Sequence, residues 1–145
     1  MKPDIKIVAL TKERLQYVLA AYPPQKDVSL DEMITAYLSK GSAAYCYLVD
    51  DEPVVVCGIV NGGWQRGDAW IFCTVQFRKH LKTCYKVMKE MFPGVCRAYK
   101  FRRVQAVSFN GGSPLFKHLG FTREAELECY GPEGQPGHIF RRIFQ

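Results

Sequence analysis

A cluster of side chains that could bind an anion lies in the middle of the chain. Residues 76–80 read Gln-Phe-Arg-Lys-His, directly after a β-rich run and at the start of an amphipathic run that predicts a helix over Arg78–Phe92. Guanidinium and ammonium groups are the side chains that most often bind phosphates. In a first helical turn these cations interact unfavourably with the positive end of the helix dipole, and a bound anion would offset this repulsion. The alternative is a basic face exposed to solvent.

Candidate groups for proton transfer are scattered along the chain. Asp68 and Glu52 lie near predicted strand ends, and His118 lies on a short predicted helix. Three more carboxylates alternate on one predicted strand: Glu124, Glu126 and Glu128. Alternation puts them on one face of a sheet, where they could accept a cationic amine, although a solvated edge strand is the more common arrangement. The general base therefore stays unassigned.

The six cysteines are widely spaced and include no C-x-x-C pair, which argues against a zinc site or a disulfide framework: Cys46, Cys57, Cys73, Cys84, Cys96 and Cys129. Several lie within apolar runs. We therefore expect buried free thiols in a reducing compartment and no metal.

The chain has 145 residues, of which 48% are hydrophobic. This length and composition predict a single globular domain. No apolar run is long enough to span a membrane, and the N-terminus shows no secretory signal, so we expect a cytoplasmic protein without a membrane partner. The net charge of +6 is uneven, because residues 1–75 hold 7 basic and 9 acidic side chains whereas residues 76–145 hold 13 and 5. The basic half indicates an anionic partner, either a nucleotide-like cofactor or nucleic acid.

Periodicity and turn residues predict the element order strand, helix, helix, three strands, long helix, strand, short helix and two strands. Thr11 and Ser29 are predicted to cap the first two helices, and Pro93-Gly94 to end the long one. The predicted strands are Ile5–Ala9, Ala43–Val49, Val54–Val60, Ala69–Val75, Arg103–Phe109, Phe121–Tyr130 and His138–Phe144. Helical crossovers between strands favour parallel pairing, so the fold class is α/β with a mixed (α+β) sheet in one domain.

The segment after the fifth of these strands has a recognisable pattern. Asn110-Gly111-Gly112 ends the strand, Ser113 and Pro114 begin a short helix, and Gly120 stops it. This arrangement resembles the last third of the GCN5-related N-acetyltransferase (GNAT) fold. The residues that stand in the places of the family pattern are Asn110, Leu115, Phe116, Lys117, Leu119, Gly120 and Phe121. The order of elements resembles the same fold along the whole chain.

The resemblance implies transfer of an acyl group from acetyl-CoA to an amine. It places the cofactor's arm against the backbone of Cys73, Thr74 and Val75, which would also polarise the thioester carbonyl. The positions that the resemblance and the basic cluster together assign to the cofactor are Cys73, Thr74, Val75, Gln76, Arg78, Lys79, Asn110 and Phe116. The acceptor would be a small-molecule or protein amine.

Two departures from the family pattern put this activity in question. The chain has no glycine between Gly67 and Gly94, so the usual glycine-rich pyrophosphate loop is missing, and Phe77 is expected to crowd that turn. The position that often carries a tyrosine general acid is Phe116, which cannot donate a proton. Side chains of Gln76, Arg78 and Lys79 would then have to meet the phosphates.

Three functions remain open. The first is an acyl-CoA-dependent N-acyltransferase with a degenerate pyrophosphate loop. The second is a non-catalytic structural or assembly protein whose partner would be a virion protein. The chain also resembles small GNAT-like proteins of tailed bacteriophages in its Trp70-led strand, its basic helix over Arg78–Phe92 and its segment Pro114–Gly120. The third is a nucleic-acid-binding module built on the basic and aromatic run 97–103. That run matches no recognition motif, so nucleic acid is not the expected partner.

Overall fold

The computed structural model describes residues 3–22, 29–109 and 114–145. Two compact units make up the chain: unit 1 comprises Met1–Asn61 and Ala69–Cys84, and unit 2 comprises Gly62–Asp68 and Tyr85–Gln145. The elements in chain order are β1 (Ile5–Ala9), α1 (Lys12–Leu19), α2 (Leu30–Tyr37), β2 (Ala43–Val49), β3 (Glu52–Asn61), β4 (Arg66–Cys73), α3 (Val75–Lys79), α4 (Leu81–Ala98), β5 (Arg103–Ser108), α5 (Pro114–His118), β6 (Thr122–Leu127) and β7 (Gly137–Ile143). No helix in these ranges is long and apolar enough to cross a bilayer.

The seven strands form one mixed sheet in the order β1-β2-β3-β4-β5-β7-β6. β1 pairs with β2 and β2 with β3 in antiparallel fashion, and β7 is antiparallel to both β5 and β6. β4 and β5 are parallel, with Arg66, Gly67 and Asp68 opposite 103–105. The mixed α/β fold predicted from the sequence is therefore confirmed.

Unit 1 is built on two capped helices and an apolar core. The Thr11 side chain accepts a hydrogen bond from the backbone of Arg14, and Ser29 accepts one from Glu32, so both predicted caps are confirmed. The residues at the centre of the core are fully or nearly fully inaccessible: Leu10, Leu15, Val18, Cys46 and Val56. Burying a side chain of this size typically contributes about 1.5–3 kcal/mol, so these contacts hold the helices on the sheet.

An aromatic pair packs closely over the middle of β4. The rings of Tyr37 and Trp70 stack with centroids 3.8 Å apart and planes 13° from parallel. A Cβ atom at Gly58 on β3 would overlap the Ala43 carbonyl and press against the Trp70 ring. Glycine at this position therefore permits the close approach of backbone and indole.

Unit 2 has its own apolar core under β5 and β7. Val104 and Ala106 are buried on one face of β5, while Val107, the residue after Ala106, is 38% exposed, which matches the predicted alternation. Gly120 follows α5 with a φ of +81°, and Phe121 donates a backbone hydrogen bond to Phe116. The predicted glycine stop is thus confirmed.

The predicted long helix over Arg78–Phe92 is wrong at both ends. Arg78 belongs to the short α3, and α4 continues through Pro93 to Ala98. Proline within a helix costs about 3 kcal/mol. The continued helix buries Cys96 completely, four and eight residues after Phe92 and Met88 on the same stripe, so tertiary burial outweighs the local cost.

The boundaries of β3 to β7 also differ from prediction, by as many as three residues at β4 and β6; β4 ends at Cys73 rather than Val75. β4 begins at Arg66 rather than Ala69, because Arg66 and Gly67 pair with β5 although they read locally as part of a turn. β6 ends at Leu127 rather than Tyr130, since Cys129 adopts a φ of +51°, which a strand does not tolerate. The Pro23-Pro24 pair after α1 and the predicted break at 110–113 lie outside the described residues.

Candidate functional site

The C-terminal end of β4 in unit 1 carries an unusual backbone contact. The Cys73 N–H donates to the Tyr22 hydroxyl at 2.8 Å, and the same hydroxyl donates to the Cys73 carbonyl at 2.9 Å. Burial raises the pKa of Tyr22, which keeps its proton in place at neutral pH. One hydroxyl therefore satisfies both polar groups of the residue that ends the strand.

The next residue fixes the direction in which these groups point. Thr74 donates to the Val54 carbonyl through both its N–H, at 2.9 Å, and its hydroxyl, at 3.3 Å. Successive residues of an extended chain direct their N–H and C=O groups to opposite edges. Because Thr74 faces Val54 on β3, the polar groups of Cys73 face away from β3.

Arg78 and Lys79 lie in the last turn of α3, with both side chains exposed, and Gln76 is half-buried in the same helix. The prediction placed these cations in the first turn of a long helix, where they would oppose the dipole. In the last turn they face its negative end and are stabilised by it. The dipole therefore gives no reason for an anion here, and any phosphate contact would rest on the side chains alone.

Phe77 does not crowd the turn, contrary to prediction. Its side chain is 5% exposed, and its N–H donates to the Thr74 carbonyl at 3.1 Å. Phe77 is buried in unit 1, whereas Val75 at the start of α3 is 72% exposed. The turn after β4 therefore has an exposed residue although it has no glycine loop.

Phe116 in unit 2 belongs to an aromatic cluster. Its ring centroid lies 5.0 Å from that of Phe140 and 5.7 Å from that of Phe121. These contacts account for a phenyl ring at the position where the resemblance expects a tyrosine. Asn110, the other residue assigned to the cofactor from this part of the chain, lies outside the described residues.

The carboxylates predicted to share one face of β6 do not form a ladder. A bulge between Arg123 and Ala125 leaves Glu124 without a partner in the register, and Glu128 lies beyond the end of the strand. A bulge shifts the alternation, so Glu124 and Glu126 no longer follow one face. The strand is at the edge of the sheet, as the more common reading of the pattern expected.

Glu124 is held by two arginines. Arg103 donates to its two carboxylate oxygens at 2.9 and 2.6 Å, and the Arg141 Nε lies 3.3 Å away. The hydrogen bonds from Arg103, aided by the charges of both arginines, lower the pKa of Glu124. A carboxylate so stabilised in its charged form is a poor general base near neutral pH.

Of the remaining candidate bases, the two carboxylates have hydrogen-bond partners and the histidine Nε2 has none in the described ranges. The Asp68 carboxylate accepts from Gln105 at 2.9 Å, and Glu52 accepts from the Tyr17 hydroxyl at 2.7 Å. The His118 ring lies 5.4 Å from that of Tyr85, with Nε2 buried and without a hydrogen-bond partner. No cluster of three or more potential metal ligands occurs among the described residues.

The cysteines are free thiols, and three of them are fully inaccessible: Cys46, Cys84 and Cys96. Burial raises the pKa of Cys46 to about 11 and that of Cys96 to about 12. Both therefore stay protonated and unreactive at neutral pH.

Sequence reasoning missed the role of Tyr22. α1 ends at Leu19, and Tyr22 beyond it binds Cys73 through its hydroxyl. The contact joins residues 51 positions apart. The only local signal is a tyrosine at the end of an amphipathic run, just before Pro23-Pro24.

The sequence matches no protein-family model, and no curated protein matches it significantly. Solved structures do match. Ard1 from Thermoplasma volcanium is 14% identical with a TM-score of 0.77, over 97% of this chain and 98% of that one. An acetyltransferase of the GNAT family from Streptococcus pneumoniae is 13% identical with a TM-score of 0.73, over 98% and 100%.

A spermidine N-acetyltransferase from Vibrio cholerae, the SpeG N152L mutant, is 9% identical with a TM-score of 0.73, over 96% of this chain and 93% of that one. All three likenesses extend over nearly the full length of both proteins. The chain therefore has the GNAT fold. Identities this low show the fold alone.

Proposed function

We propose that this protein, which has the GNAT fold, is an N-acyltransferase that takes its acyl group from acetyl-CoA. The observation that carries the proposal is the pair of hydrogen bonds at Cys73, where one hydroxyl both donates to the carbonyl and accepts from the N–H. The amides of a pantetheine arm carry a donor and an acceptor of the same kinds. An arm that displaced the Tyr22 hydroxyl would therefore satisfy both polar groups of Cys73.

Acetyl-CoA suits the groups at this edge. Bound acetyl-CoA would supply the thioester whose acyl group passes to an amine. The backbone of Cys73 would bind the arm, and the exposed residue Val75 at the start of α3 would lie beside it. Arg78 and Lys79 are both exposed cations and would meet the phosphates through charge-assisted hydrogen bonds.

Proton transfer would depend on solvent to an unusual degree. Phe116 has no proton to give, and a thiolate with a pKa near ~8.5 is a leaving group that water can protonate. The carboxylate of Glu124 is committed to Arg103 and Arg141. We therefore expect slow acetylation that favours amines already neutral at the working pH.

A second candidate is a protein on the same fold that has no catalytic function, such as a virion or assembly component of a tailed bacteriophage. Two observations favour it. The Phe116 ring is part of the apolar cluster of unit 2, and the Tyr22 hydroxyl occupies the polar groups of Cys73. Both features are compatible with a surface that no longer binds a cofactor.

Calorimetric titration with acetyl-CoA separates the two. We expect saturable binding with a Kd of about 10–100 μM, that is about −6 to −7 kcal/mol. Release of free thiol in the presence of spermidine or of a peptide amine would then establish transfer. Absence of binding at millimolar acetyl-CoA would refute the proposal and leave the non-catalytic candidate.

A further inference from the structure

The loop between β3 and β4 in unit 2 presents a tryptophan to solvent. Trp64 is 94% exposed and has a φ of +54°, and the next residue, Gln65, has a φ of +60°. The loop is closed by a hydrogen bond from Gly62 N–H to the Arg66 carbonyl at 2.8 Å. Two consecutive side chains in the left-handed region cost free energy that glycine would avoid. The Trp64 ring is therefore exposed to water at a position where the backbone conformation would favour glycine.

The C-terminus of α4 likewise has a non-glycine residue with a positive φ. Lys100 has a φ of +62°, and its N–H donates to the Arg97 carbonyl at 3.0 Å while Phe101 N–H donates to Cys96 at 2.9 Å. This is the Schellman arrangement, whose left-handed position is usually glycine, as it is at Gly120 after α5. Backbone strain retained at several neighbouring positions is a feature of functional surfaces.

Backbone hydrogen bonds join these two segments. The Gln65 carbonyl accepts from Arg102 N–H at 2.7 Å and from Arg103 N–H at 3.3 Å. Tyr99, in the second of these segments, is 40% exposed, and its ring is nearly parallel to that of Phe101. We call the resulting surface the basic pole and define it by five residues: Trp64, Arg97, Tyr99, Lys100 and Arg102.

The basic pole has cations without counter-charges. Residues 62–67, 94–103 and 141–145 contain no Asp or Glu. Within the described part of the chain, no carboxylate pairs with Arg97, Lys100 or Arg102, whereas the nearby Arg103 is bound to Glu124. The helix dipole accounts for Arg97 and Lys100 at the end of α4, but it does not account for Arg102 or Trp64.

We propose that the basic pole binds single-stranded nucleic acid. Three exposed cations without carboxylate partners match the phosphates, and two exposed aromatic rings offer faces on which bases stack. An acidic protein segment would satisfy the charges, but it would leave the almost fully exposed Trp64 ring without a planar partner. The pole lies at the N-terminal ends of β4 and β5, and none of its five residues is proposed to bind acetyl-CoA, so this function can be tested independently of acyl transfer.

Fluorescence anisotropy with a labelled oligothymidylate tests the proposal. We expect log K to fall with log salt at a slope of about −2, the value for three phosphate contacts on a single strand. Trp64→Ala should weaken binding about tenfold, because one stacked base is lost. Arg97, Lys100 and Arg102 replaced together by Ala should weaken it more and flatten the slope. Only two tryptophans are present, so binding should quench a fluorescence component that Trp64→Ala lacks.

A matched triple variant gives the control. Lys82, Lys86 and Lys89 are exposed on α4, and replacing all three with Ala removes the same charge elsewhere. This variant should bind within about twofold of the wild type if the pole is the site. Equal loss in both triple variants would overturn the proposal, as would equal affinity for duplex DNA. Binding of polyglutamate that matches the oligonucleotide and ignores Trp64→Ala would replace it with an acidic protein partner.

Discussion

The Tyr22 hydroxyl binds both backbone polar groups of Cys73, with its oxygen 2.8 Å from the amide nitrogen and 2.9 Å from the carbonyl oxygen. Tyr22 is partly exposed and stands beside Phe72, with ring centroids 5.4 Å apart in an edge-on contact. A ligand that pairs with Cys73 must displace this hydroxyl. The contact therefore sets part of the cost of cofactor binding.

Removing that hydroxyl should strengthen acetyl-CoA binding. Tyr22→Phe frees the N–H and C=O of Cys73, and we expect affinity to rise by about 0.5–1.5 kcal/mol, the usual net value of a neutral hydrogen bond. Calorimetric titration measures this change. Tyr17→Phe is the matched control, because it also removes a tyrosine hydroxyl, one on α1 that donates to Glu52. It should leave the affinity for acetyl-CoA unchanged. Weaker binding by Tyr22→Phe would mean that the hydroxyl assists the ligand.

Binding of the cofactor's phosphates should depend on Arg78 and Lys79. Replacing both with Ala should weaken acetyl-CoA binding by about 1.5–3 kcal/mol for each charged hydrogen bond lost. The effect should decrease at high salt, because exposed charges are screened. Replacing Lys86 and Lys89 with Ala is the control for charge alone. Unchanged affinity in the first pair would place the phosphates elsewhere.

A tyrosine hydroxyl on α5 should act as a general acid and protonate the leaving thiolate of coenzyme A. We expect Phe116→Tyr to raise kcat about tenfold, below the usual ~10²–10⁴, because Phe121 and Phe140 hold the ring in place. Initial rates of thiol release give kcat. Phe109→Tyr, on a ring that is 42% exposed, should change nothing. Fast wild-type acetylation that Phe116→Tyr does not alter would show that no general acid was missing.

Stability should depend on pH through Glu124. Arg103 lowers the pKa of this carboxylate in the folded protein, so its contribution is present above the ordinary glutamate pKa and is lost as pH falls through the lowered value. Glu124→Gln should therefore lower Tm at neutral pH, and the difference should shrink in acid. Thermal unfolding between about pH 2 and pH 7 tests this. Glu128→Gln, at an exposed position, should track the wild type throughout.

The interior proline of α4 should be a source of instability. Pro93→Ala restores a backbone hydrogen bond and removes a steric conflict, so we expect stabilisation of about 1–3 kcal/mol by urea denaturation. Gly94→Ala, at a site with open space for a Cβ, should add about 1 kcal/mol from helix propensity alone. If Pro93→Ala destabilises the protein, the pyrrolidine ring makes packing contacts worth more than the hydrogen bond.

The sequence by itself determined most of the elements and the class of fold. Thr11 and Ser29 cap their helices through atoms three residues away, and Gly120 ends α5 through its own φ, so each signal is local and readable. Alternation along β5 and the helical crossover before it predicted a parallel neighbour, which β4 is. The GNAT order of strands and helices followed from these signals together.

Tertiary structure decided the rest, because the deciding contacts join distant parts of the chain. Tyr22 meets Cys73 across 51 residues, and the Trp64 loop meets Arg102 through the Gln65 carbonyl. No local sequence pattern at either residue of these pairs predicts the contact with the other. Pro93 reads as a stop, yet α4 passes through it because Cys96 beyond it is completely buried. Local propensity costs a few kcal/mol at most, and burial and pairing fixed by the whole fold outweigh it.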